Sequence, residues 1–501
     1  MKKLYPLLSV LFLIYWGCEE EQPEDTTPQD TTPPEIVILS EVNFQNNSFT
    51  LSWTQSNEDD FYSYIIYQSN DSTMNQKVSI DTIFDISINT TLVEEINSEG
   101  YYYFEIGVKD ESGNESYSNI ERGSSYDRFF KTFGSYGGED RGYSVIETSD
   151  NGYVMTGLYK SYGSWDLWVL KTDKSGNEVW DYKKDYYGNQ TTNDVGRSII
   201  QTNDGGFVVL GWSQEQIDLI LLKLNVNGEL EWEDSFPPIG MNEGYSLKQT
   251  QDGGFIIVGY TTMNWNYSDT GCGGGGRTLL VKSDGNGNLI WVRCFDTLGG
   301  NSNKGLSIDL THDDGFVVTG GRDEIVDWGV VNQHEVVLLK VDNEGNEIWS
   351  YTYDYGVGHN VKRTNDNGFI VCGSLYTGIE QSNGNIDVLL LKTDSDGNEE
   401  WRRTFGGVQE DRGYSVKQTN DGGYIFTGFS HSNGNDDQSI LLIKTDSNGY
   451  EEWSKTIKGN KGFSVVQTEN GKFVLTGNYY NGSSYGIDLL LVKTDSEGNY
   501  E

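Results

Sequence analysis

Two patterns of apolar and polar positions recur along residues 126–501. The first is GYSVKQTNDGGYIFTG at 413–428, whose first half alternates and whose second half is mostly apolar. Alternation of this kind is typical of a half-buried strand, and Asn-Asp-Gly-Gly is a tight turn that returns the chain. The pattern therefore predicts a β-hairpin. Its other six copies begin at residues 142, 196, 244, 305, 358 and 462.

The second pattern follows each hairpin after a loop of variable length. At 387–401 it reads DVLLLKTDSDGNEEW, and related copies begin at residues 166, 218, 277, 335 and 439. The unbroken apolar run indicates a strand buried on both faces, and the outgoing strand after the Gly-centred turn carries a Trp. Each repeat thus predicts four antiparallel strands with a period of about fifty residues, which is typical of one blade of a β-propeller.

The two ends of this region indicate how the ring of blades is completed. The seventh repeat stops at DLLLVKTDSEGNYE (488–501), without a Trp strand, whereas DRFFKTFG (127–134) resembles an isolated fourth strand. We expect Phe129–Phe133 to lie beside 488–495, with its Phe pair in place of the Trp. This pairing would remove an exposed sheet edge. The prediction is an all-β, seven-bladed β-propeller closed by its N-terminal strand.

The second pattern resembles the Trp-docking repeat of quinoprotein-like propellers. The repeats are also similar to those of large surface proteins and lipoproteins of marine and Bacteroidetes-type bacteria. The resemblance implies blade architecture rather than quinone chemistry, because many such propellers are scaffolds.

Residues 35–123 carry the shorter alternations of a β-sandwich. Phe49, Leu51 and Trp53 share one face of an early strand, and Tyr102 opens a late strand that reads YYYFEIGVKDESGNES. A Trp on an early strand and a Tyr at the start of a late one match the sandwich pattern. The segment resembles a fibronectin type III domain, which implies a spacer.

The N-terminus reads MKKLYPLLSVLFLIYWGC, with two lysines, a short apolar run and a final cysteine. The run is too short for a membrane span and predicts an export signal over residues 1–17. Cys18, which three glutamates follow, resembles the lipid-attachment cysteine of bacterial lipoproteins. The acidic, Pro- and Thr-rich segment 18–34 predicts an extended tether. The resemblance implies an exported protein anchored in the outer membrane, at the cell surface or, alternatively, on the periplasmic side.

The net charge of −41 argues against a nucleic-acid partner, because phosphate binding needs clustered Lys and Arg. It suits a soluble exported protein and, alternatively, the attraction of calcium through carboxylate ligands. TDSDGNEE (393–400) contains part of a calcium-loop pattern, but its counterparts in other repeats are ordinary hairpin turns. We predict a monomer without a cofactor, with calcium as the alternative.

Sequence differences between the repeats are concentrated in the loops between strands two and three and between blades. These loops are expected on one face of the propeller, and loops on a rigid scaffold commonly carry function. Aromatic residues near them suit contact with protein or carbohydrate. The predicted ligand face contains Trp165, Asp166, Trp212, Asp218, Trp265, Trp328, Glu335, Asp387 and Asp488.

Charged residues also recur with the repeat. The acidic residues of the ligand face begin third strands, so their alternative role is to cap local amides. A lysine recurs inside every third strand, with Asp or Asn two residues later, which predicts a structural ion pair rather than seven active lysines. These lysines are Lys171, Lys223, Lys282, Lys340, Lys392, Lys444 and Lys493.

Cys272 and Cys294 belong to one repeat, and export permits a disulfide between them, with free thiols as the alternative. The predicted function is a membrane-anchored binding or scaffold lipoprotein that contacts protein or carbohydrate through its variable loops. The alternatives are an exported glycoside hydrolase or lyase on a propeller scaffold and a periplasmic outer-membrane assembly factor. No catalytic residue is predicted, since paired carboxylates confined to one or two blades would be needed and the acidic positions follow the symmetry.

Overall fold

A computed structural model describes residues 30–40, 42–45, 48–94, 96, 100–135, 137–161, 163–185, 193–214, 218–236, 242–261, 272, 276–295, 303–322, 335–376, 386–432, 438–480 and 486–500. Every helix or strand in these ranges is a β-strand, so the described chain is all-β. Within the same ranges no helix has the length and apolar character needed to cross a membrane. The predicted signal segment, Cys18 and most of the tether lie outside the described residues.

The chain divides into an N-terminal domain, Met1–Tyr126, and a C-terminal domain, Asp127–Glu501. In the first domain β1, β2 and β5 form one sheet, and β4, β3, β6 and β7 form another, with β8 also paired to β6. The strands are β1 (Asn43–Gln45), β2 (Ser48–Ser52), β3 (Phe61–Ser69), β4 (Val78–Ile83), β5 (Thr90–Val93), β6 (Tyr101–Asp110), β7 (Glu115–Tyr117) and β8 (Glu121–Ser124).

The core of the N-terminal domain consists of the alternate residues that the sequence predicts to point inward. Phe49 of one sheet and Phe104 of the other are fully buried, and their ring centroids lie 5.2 Å apart. Trp53 packs edge-on against Tyr64 at 5.4 Å. Burial of one large side chain contributes about 2 kcal/mol, so this aromatic cluster is a main source of the domain's stability.

The C-terminal domain contains β9 (Phe129–Phe133) and seven repeats, numbered here in chain order. Repeats 1 and 2 contain β10 (Arg141–Glu147), β11 (Tyr153–Ser161), β12 (Ser164–Thr172), β13 (Glu178–Lys184), β14 (Asp194–Gln201), β15 (Phe207–Ser213), β16 (Asp218–Leu224) and β17 (Leu230–Ser235). Repeats 3 and 4 contain β18 (Asn242–Gln249), β19 (Phe255–Thr261), β20 (Arg277–Ser283), β21 (Leu289–Phe295), β22 (Asn303–Leu310), β23 (Phe316–Arg322), β24 (Glu335–Val341) and β25 (Glu347–Arg363). Repeats 5 to 7 contain β26 (Phe369–Tyr376), β27 (Ile386–Thr393), β28 (Glu399–Phe405), β29 (Asp411–Gln418), β30 (Tyr424–Ser430), β31 (Ser439–Thr445), β32 (Glu451–Ile457), β33 (Lys461–Gln467), β34 (Phe473–Tyr480) and β35 (Ile487–Thr494).

Each repeat is an antiparallel sheet whose strands pair in chain order. The long strand β25 serves two sheets, because residues 347–355 pair with β24 and residues 356–363 pair with β26. First strands of successive repeats lie next to one another, and β33 of repeat 7 also lies next to β10 of repeat 1. Repeated four-stranded antiparallel sheets in this order have the arrangement of a β-propeller.

Strand β9 completes the sheet of repeat 7, which contributes only three strands of its own. It pairs antiparallel with β35, from Lys493 opposite Phe129 to Leu489 opposite Phe133. This is the pairing predicted from the repeat pattern. The edge of β35 is thereby covered by a strand from the other end of the domain.

The apolar third strands are buried because other repeats pack on both of their faces. In β24 every residue after the first is buried, and in β31 the pattern is the same. Leu338 and Leu339 are neighbours in sequence yet belong to different hydrophobic clusters, on opposite sides of the sheet. The unbroken apolar run in the sequence therefore corresponds to a strand with two buried faces.

The Trp of each fourth strand packs against the next repeat. Trp180 of repeat 1 lies 5.7 Å from Phe207 of repeat 2, measured between ring centroids. It also covers Gly228, which has a φ of 81° and at which an added Cβ would lie 2.6 Å from the indole ring. A glycine is thus required there both for its backbone conformation and for close approach. At the last junction Phe129 takes the place of the Trp, since its ring lies 6.1 Å from that of Tyr153.

The recurring lysines form the predicted structural ion pairs, and their partner is the aspartate of the first hairpin turn. Lys171 is 4% exposed and binds Asp150 of the first hairpin turn at 2.9 Å, instead of the residue two positions later. The cause is the register, which places the turn of strands one and two beside the lysine of strand three. The pairs of the next five repeats are Lys223–Asp204, Lys282–Asp252, Lys340–Asp313, Lys392–Asp366 and Lys444–Asp421.

Repeat 7 departs from this rule, because Asn470 occupies the position of the turn aspartate. Its lysine, Lys493, is 4% exposed and instead donates hydrogen bonds to both carboxylate oxygens of Asp127, at 2.8 and 2.7 Å. Asp127 precedes β9, so the missing carboxylate is supplied from the other end of the domain.

We predict that Asp127→Asn lowers the free energy of unfolding of the C-terminal domain by about 1–2 kcal/mol, because it removes the carboxylate partner of a buried ammonium group. The loss is smaller than for a fully buried pair, since Asp127 is 38% exposed and water screens it. Chemical denaturation measures the change.

The matched control is the double variant Asp127→Asn, Asn470→Asp, which restores a carboxylate at the position used in the other six repeats. Its stability is expected to recover most of the loss, whereas Asn470→Asp alone changes little. A double variant as unstable as Asp127→Asn would contradict the ion-pair explanation.

Candidate functional site

Residues from the first strands of all seven repeats line a cavity of about 910 Å³. Its lining begins at the second residue of the repeated pattern and extends to the turns that follow the first strands, where it includes Asn365 and Asn420. Pockets of a few hundred to about 1,000 Å³ are typical of sites for small molecules. The cavity is therefore the main concave candidate site in the described part of the chain.

Hydrogen bonds between adjacent first strands hold the wall of the cavity. In each case a backbone amide donates to a polar side chain at the third position of the preceding repeat's pattern. Val465 N–H donates to Ser415 Oγ at 3.2 Å, and Val416 N–H donates to Asn360 Oδ1 at 3.1 Å. Val145 N–H of repeat 1 donates to Ser464 Oγ of repeat 7 at 3.3 Å. These bonds satisfy backbone donors on the inner strand edges, which explains the recurring Ser.

Aromatic residues at the second position of the pattern narrow one end of the cavity. Tyr143 and Tyr414 flank Phe463, with ring centroids 5.1 and 5.4 Å from it. His359 packs edge-on against Tyr414 at 5.2 Å, and the Arg197 guanidinium lies 4.8 Å from the Tyr143 ring centroid. We call these five residues the aromatic collar. Burial, and then the charge of Arg412, lower the pKa of His359 to about 3, so this imidazole is neutral at neutral pH.

The fifth position of the pattern forms a second level of the cavity, which we call the cavity ring. Its members occupy equivalent registers in the seven first strands, and all of them line the cavity. Their chemistry does not follow the repeat, since one arc of the ring is aliphatic and the other is charged. In repeat order the members are Ile146, Ile200, Lys248, Asp309, Lys362, Lys417 and Val466.

The charged arc contains more positive than negative charge. Lys248 Nζ lies 3.1 Å from Asp309 Oδ1, and the Arg363 amide donates to Asp309 Oδ2 at 2.9 Å. Within the described residues, no carboxylate lies within ion-pair distance of Lys362 or Lys417. One carboxylate therefore serves three lysines.

The pKa values in the ring follow from this crowding. Burial, and then the charge of Lys248, lower the pKa of Lys362 to about 7, although Asp309 opposes the change. Burial and Lys248 also lower the pKa of Lys417. Burial alone would raise the pKa of Asp309, but the charges of Lys248 and Lys362 outweigh it and hold that pKa at about 2.

The sign of the cavity charge is opposite to that of the protein. The chain has 76 acidic and 35 basic residues. Of the described residues that line the cavity, five are basic and one, Asp309, is acidic. The basic residues are Arg197, Lys248, Lys362, Arg363 and Lys417. The cavity is thus an anion-attracting site inside an acidic molecule.

The two described Trp residues of the predicted ligand face are not isolated surface rings. Trp165 is half-buried, and Lys160 Nζ lies 4.6 Å from its ring centroid. Trp212 is half-buried in β15, opposite Val195 and Leu219. Trp265 and Trp328 lie outside the described residues.

The acidic residues of the ligand face lie at the junctions between repeats, where the structure describes them. Asp387 and Asp411 both flank Gly406, at which an added Cβ would lie 2.8 and 2.5 Å from their carboxylate oxygens. Asp411 Oδ2 accepts hydrogen bonds from the Gly407 amide at 2.8 Å and from Ser432 Oγ at 2.7 Å. This carboxylate therefore secures the junction loop.

The other acidic residues of the face differ in burial. Asp166 is buried, with Ser164 Oγ at 3.5 Å, and Glu335 is half-buried at the start of β24. Asp488 flanks Gly134 together with Asp140, whose carboxylate accepts the Ser135 amide at 2.7 Å. Only the backbone of Asp218 is described, and it pairs with Ser213.

Cys272 and Cys294 are joined in a disulfide, with their Cα atoms 5.0 Å apart. Cys294 lies in β21, so the bond ties the loop residue Cys272 to the fourth strand of the same repeat. Cys372 is buried in β26 as a free thiol, and burial raises its pKa.

Calcium binding is the alternative prediction for the turn at 393–400. In the structure the first carboxylate of this turn accepts hydrogen bonds from backbone amides of the same turn. Asp394 Oδ1 accepts the amides of Asp396 at 2.9 Å and Asn398 at 2.8 Å. Asp173 binds the corresponding amides in repeat 1. Calcium binding by this turn remains a prediction.

Sequence reasoning missed the cavity ring, although a signal for it was present. The fifth residues of the seven copies read I, I, K, D, K, K and V, while the fourth residues are all Val, Ile or Leu. The positions that are alike in all seven copies identify the fold. The variable fifth position does not contribute to that identification, so its role was missed. The missing information was that the fifth position faces the shared cavity.

No protein-family model matches the chain, and the curated proteins give no match. Similar solved structures include Sqt1 of Chaetomium thermophilum bound to the N-terminus of the ribosomal protein L10, with a TM-score of 0.44, 9% identity and coverage of 73% of this chain and 99% of that one. The Pan2 WD40 domain of Neurospora crassa has a TM-score of 0.44, 8% identity and coverage of 73% and 99%. A luciferin-regenerating enzyme has a TM-score of 0.35, 11% identity and coverage of 75% and 99%. At these values the similarities carry no argument about ligand or activity, and the propeller arrangement rests on the strand pairing.

We predict that cyanate carbamylates Lys362 with a pH midpoint at about 7, because the neutral amine is the reactive form and the pKa of this lysine is lowered to that value. Peptide mass spectrometry across a pH series measures the midpoint. The exposed Lys174, which lies outside the cavity, is the internal reference for the reaction.

The variant Lys248→Met removes the positive charge that contributes most to the lowered pKa of Lys362 and is expected to raise the midpoint of Lys362. A midpoint that is unchanged in Lys248→Met would contradict the crowding described for the ring.

Proposed function

We propose that this chain is a lipid-anchored, surface-exposed binding protein whose C-terminal domain takes up a ligand in its central cavity. The observation that carries the proposal is the cavity ring. The chemistry of its residues differs between repeats, and it concentrates lysines that have no carboxylate partner among the described residues. The charges that do recur are used in structural ion pairs or in turns. A non-repeating cluster in a concave site is the feature expected of ligand recognition.

The architecture proposed for the C-terminal domain is a closed, seven-bladed propeller. Three contacts at the junction of the two ends of this domain support it: the pairing of β9 with β35 within repeat 7, the bond from Val145 to Ser464, and the packing of Phe129 on Tyr153. Closure would hold the cavity wall on all sides and keep its lysines at fixed spacing.

The N-terminal domain is proposed to be a fibronectin type III-like spacer. Its two packed sheets and the buried Trp53, Tyr64 and Tyr102 support this assignment. Together with the acidic tether, it would hold the propeller away from the outer membrane. The lipid is proposed to be attached to Cys18.

The anchor is tested by expressing the full chain in a bacterium fed with a labelled fatty acid. The mature protein is expected to carry the label and to fractionate with outer membranes, and Cys18→Ser is expected to lose both properties. An unlabelled wild-type chain would overturn the anchor without affecting the proposal for the cavity.

Binding is favoured over the alternative of a polysaccharide-cleaving enzyme by the content of the cavity. Such an enzyme requires two carboxyl groups at a defined separation. Among the described cavity-lining residues, Asp309 is the single carboxylate, and it is engaged by Lys248 at 3.1 Å. A periplasmic assembly role would use protein partners and shares the fold, so only partner chemistry separates it from the proposal.

The binding function is tested with the full-length protein and a panel of neutral oligosaccharides, anionic oligosaccharides, acidic peptides and organic acids. We expect at least one anionic class to raise Tm and to be recovered chemically unchanged. Lys362→Met should weaken that binding by about tenfold, the loss expected for one charge-assisted hydrogen bond.

Trp212→Ala is the matched variant on the predicted ligand face and should bind like the wild type. Loss of binding in Trp212→Ala with retention in Lys362→Met would move the site to the variable loops. Cleavage of any bound polymer would replace the binding proposal with the enzyme.

A further inference from the structure

We infer that the cavity accepts an amphiphilic organic anion, whose acidic group contacts Lys362 and Lys417 while its apolar body lies against Ile146, Ile200 and Val466. This inference rests on the proposed binding function and specifies its ligand. It follows from the division of the cavity ring into two continuous arcs.

The charged arc occupies four consecutive repeats, 3 to 6. Lys248 and Asp309 already neutralise one another in part through their 3.1 Å contact. Lys362 and Lys417, the ring members of repeats 5 and 6, retain donors directed at no carboxylate among the described residues. A carboxylate, sulfonate or phosphate would supply the missing acceptor and offset the repulsion between neighbouring ammonium groups.

The aliphatic arc occupies the three remaining repeats, 7, 1 and 2, which are adjacent because β33 lies next to β10. Val466, Ile146 and Ile200 are half-buried, so part of each side chain faces the open cavity. Covering such surface stabilises a complex by about 25 cal/mol per Å² of apolar area removed from water. An inorganic anion would leave the aliphatic arc exposed to water.

The size and surroundings of the cavity agree with a ligand of modest size. About 910 Å³ is far more than one phosphate or sulfate ion requires, and it accommodates a ring system with an acidic substituent. The aromatic collar adds Tyr143 and Phe463 beside the aliphatic arc, which extends the apolar surface toward one end. A highly charged polymer would meet one charged arc, instead of a continuous basic groove, among the described residues that line the cavity.

The test uses three compounds as probes of the full-length protein in isothermal titration calorimetry: 1-naphthalenesulfonate, 1-naphthalenemethanol and inorganic sulfate. We expect naphthalenesulfonate to bind at least tenfold more tightly than either of the others, because it alone engages both arcs. Equal affinity for the neutral alcohol would overturn the role of the lysines, and equal affinity for sulfate would overturn the role of the aliphatic arc.

Variants separate the two arcs. Lys362→Met and Lys417→Met should each weaken naphthalenesulfonate binding by about tenfold and leave naphthalenemethanol unaffected. Val466→Thr keeps the side-chain shape and should weaken naphthalenesulfonate by a few-fold while leaving sulfate unchanged. Lys174→Met, an exposed lysine outside the cavity, is the matched control and should bind like the wild type. Unchanged naphthalenesulfonate affinity in both ring-lysine variants would overturn the inference.

Thermal unfolding of each variant without ligand verifies that the fold is retained. Failure of the naphthalenesulfonate binding test is distinguishable from failure of the proposed binding function. If a class from the wider panel binds in a Lys362-dependent manner while naphthalenesulfonate does not, the function stands and the amphiphilic ligand class is wrong.

Discussion

The pairing of β9 with β35 is the constraint on which the C-terminal domain depends. Repeat 7 has only three strands of its own, so without β9 its third strand would present an open edge and its buried lysine would lack a carboxylate. The same short segment supplies the strand, the Asp127 carboxylate and the Phe129 ring that packs on Tyr153. One stretch of chain thus replaces three features that every other repeat provides for itself. The cavity depends on it in turn, because the first strand of repeat 1 is a neighbour of the first strand of repeat 7.

In this chain the residues that recur in every repeat have structural roles, whereas the residues that differ between repeats are the candidates for ligand recognition. The lysine of each third strand is nearly buried and paired in every repeat, so its charge is unavailable to a ligand. The fourth-strand Trp and the glycine it covers recur for the same structural reason. The lysines of the cavity ring are different, because their equivalents in three repeats are aliphatic and no common structural role could require both. Their charge has a cost in crowding, seen in the lowered pKa of Lys362, and a fold that needed only stability would place aliphatic residues there as well.

Much of the fold could be predicted because short local patterns in the sequence indicate its strands and turns. Alternation, tight turns and continuous apolar runs identify the hairpins, and the incomplete seventh repeat points to Phe129–Phe133 as the missing strand. The partner of the third-strand lysines could not be predicted in the same way. Spacing by two residues indicates a shared face of one strand, but the long lysine side chain reaches instead to the turn between the first two strands, as Lys171 reaches Asp150. That contact depends on how strands one, two and three are aligned with one another. The spacing of two residues within one strand does not contain this information.

The site was harder to predict than the fold because its residues are scattered over the chain and are ordinary in type. Lys248 and Lys417 are separated by more than a hundred residues, and each occupies a variable position of the repeated pattern. What brings them together is equivalence of position around the cavity. Seven copies of one pattern within a single chain act as their own alignment, in which constant positions maintain the sheet. A position that changes in a contiguous block of repeats, while the preceding position stays aliphatic, creates a surface with two chemically different sides. Such a block is expected where a ligand with two different sides must be held in one orientation.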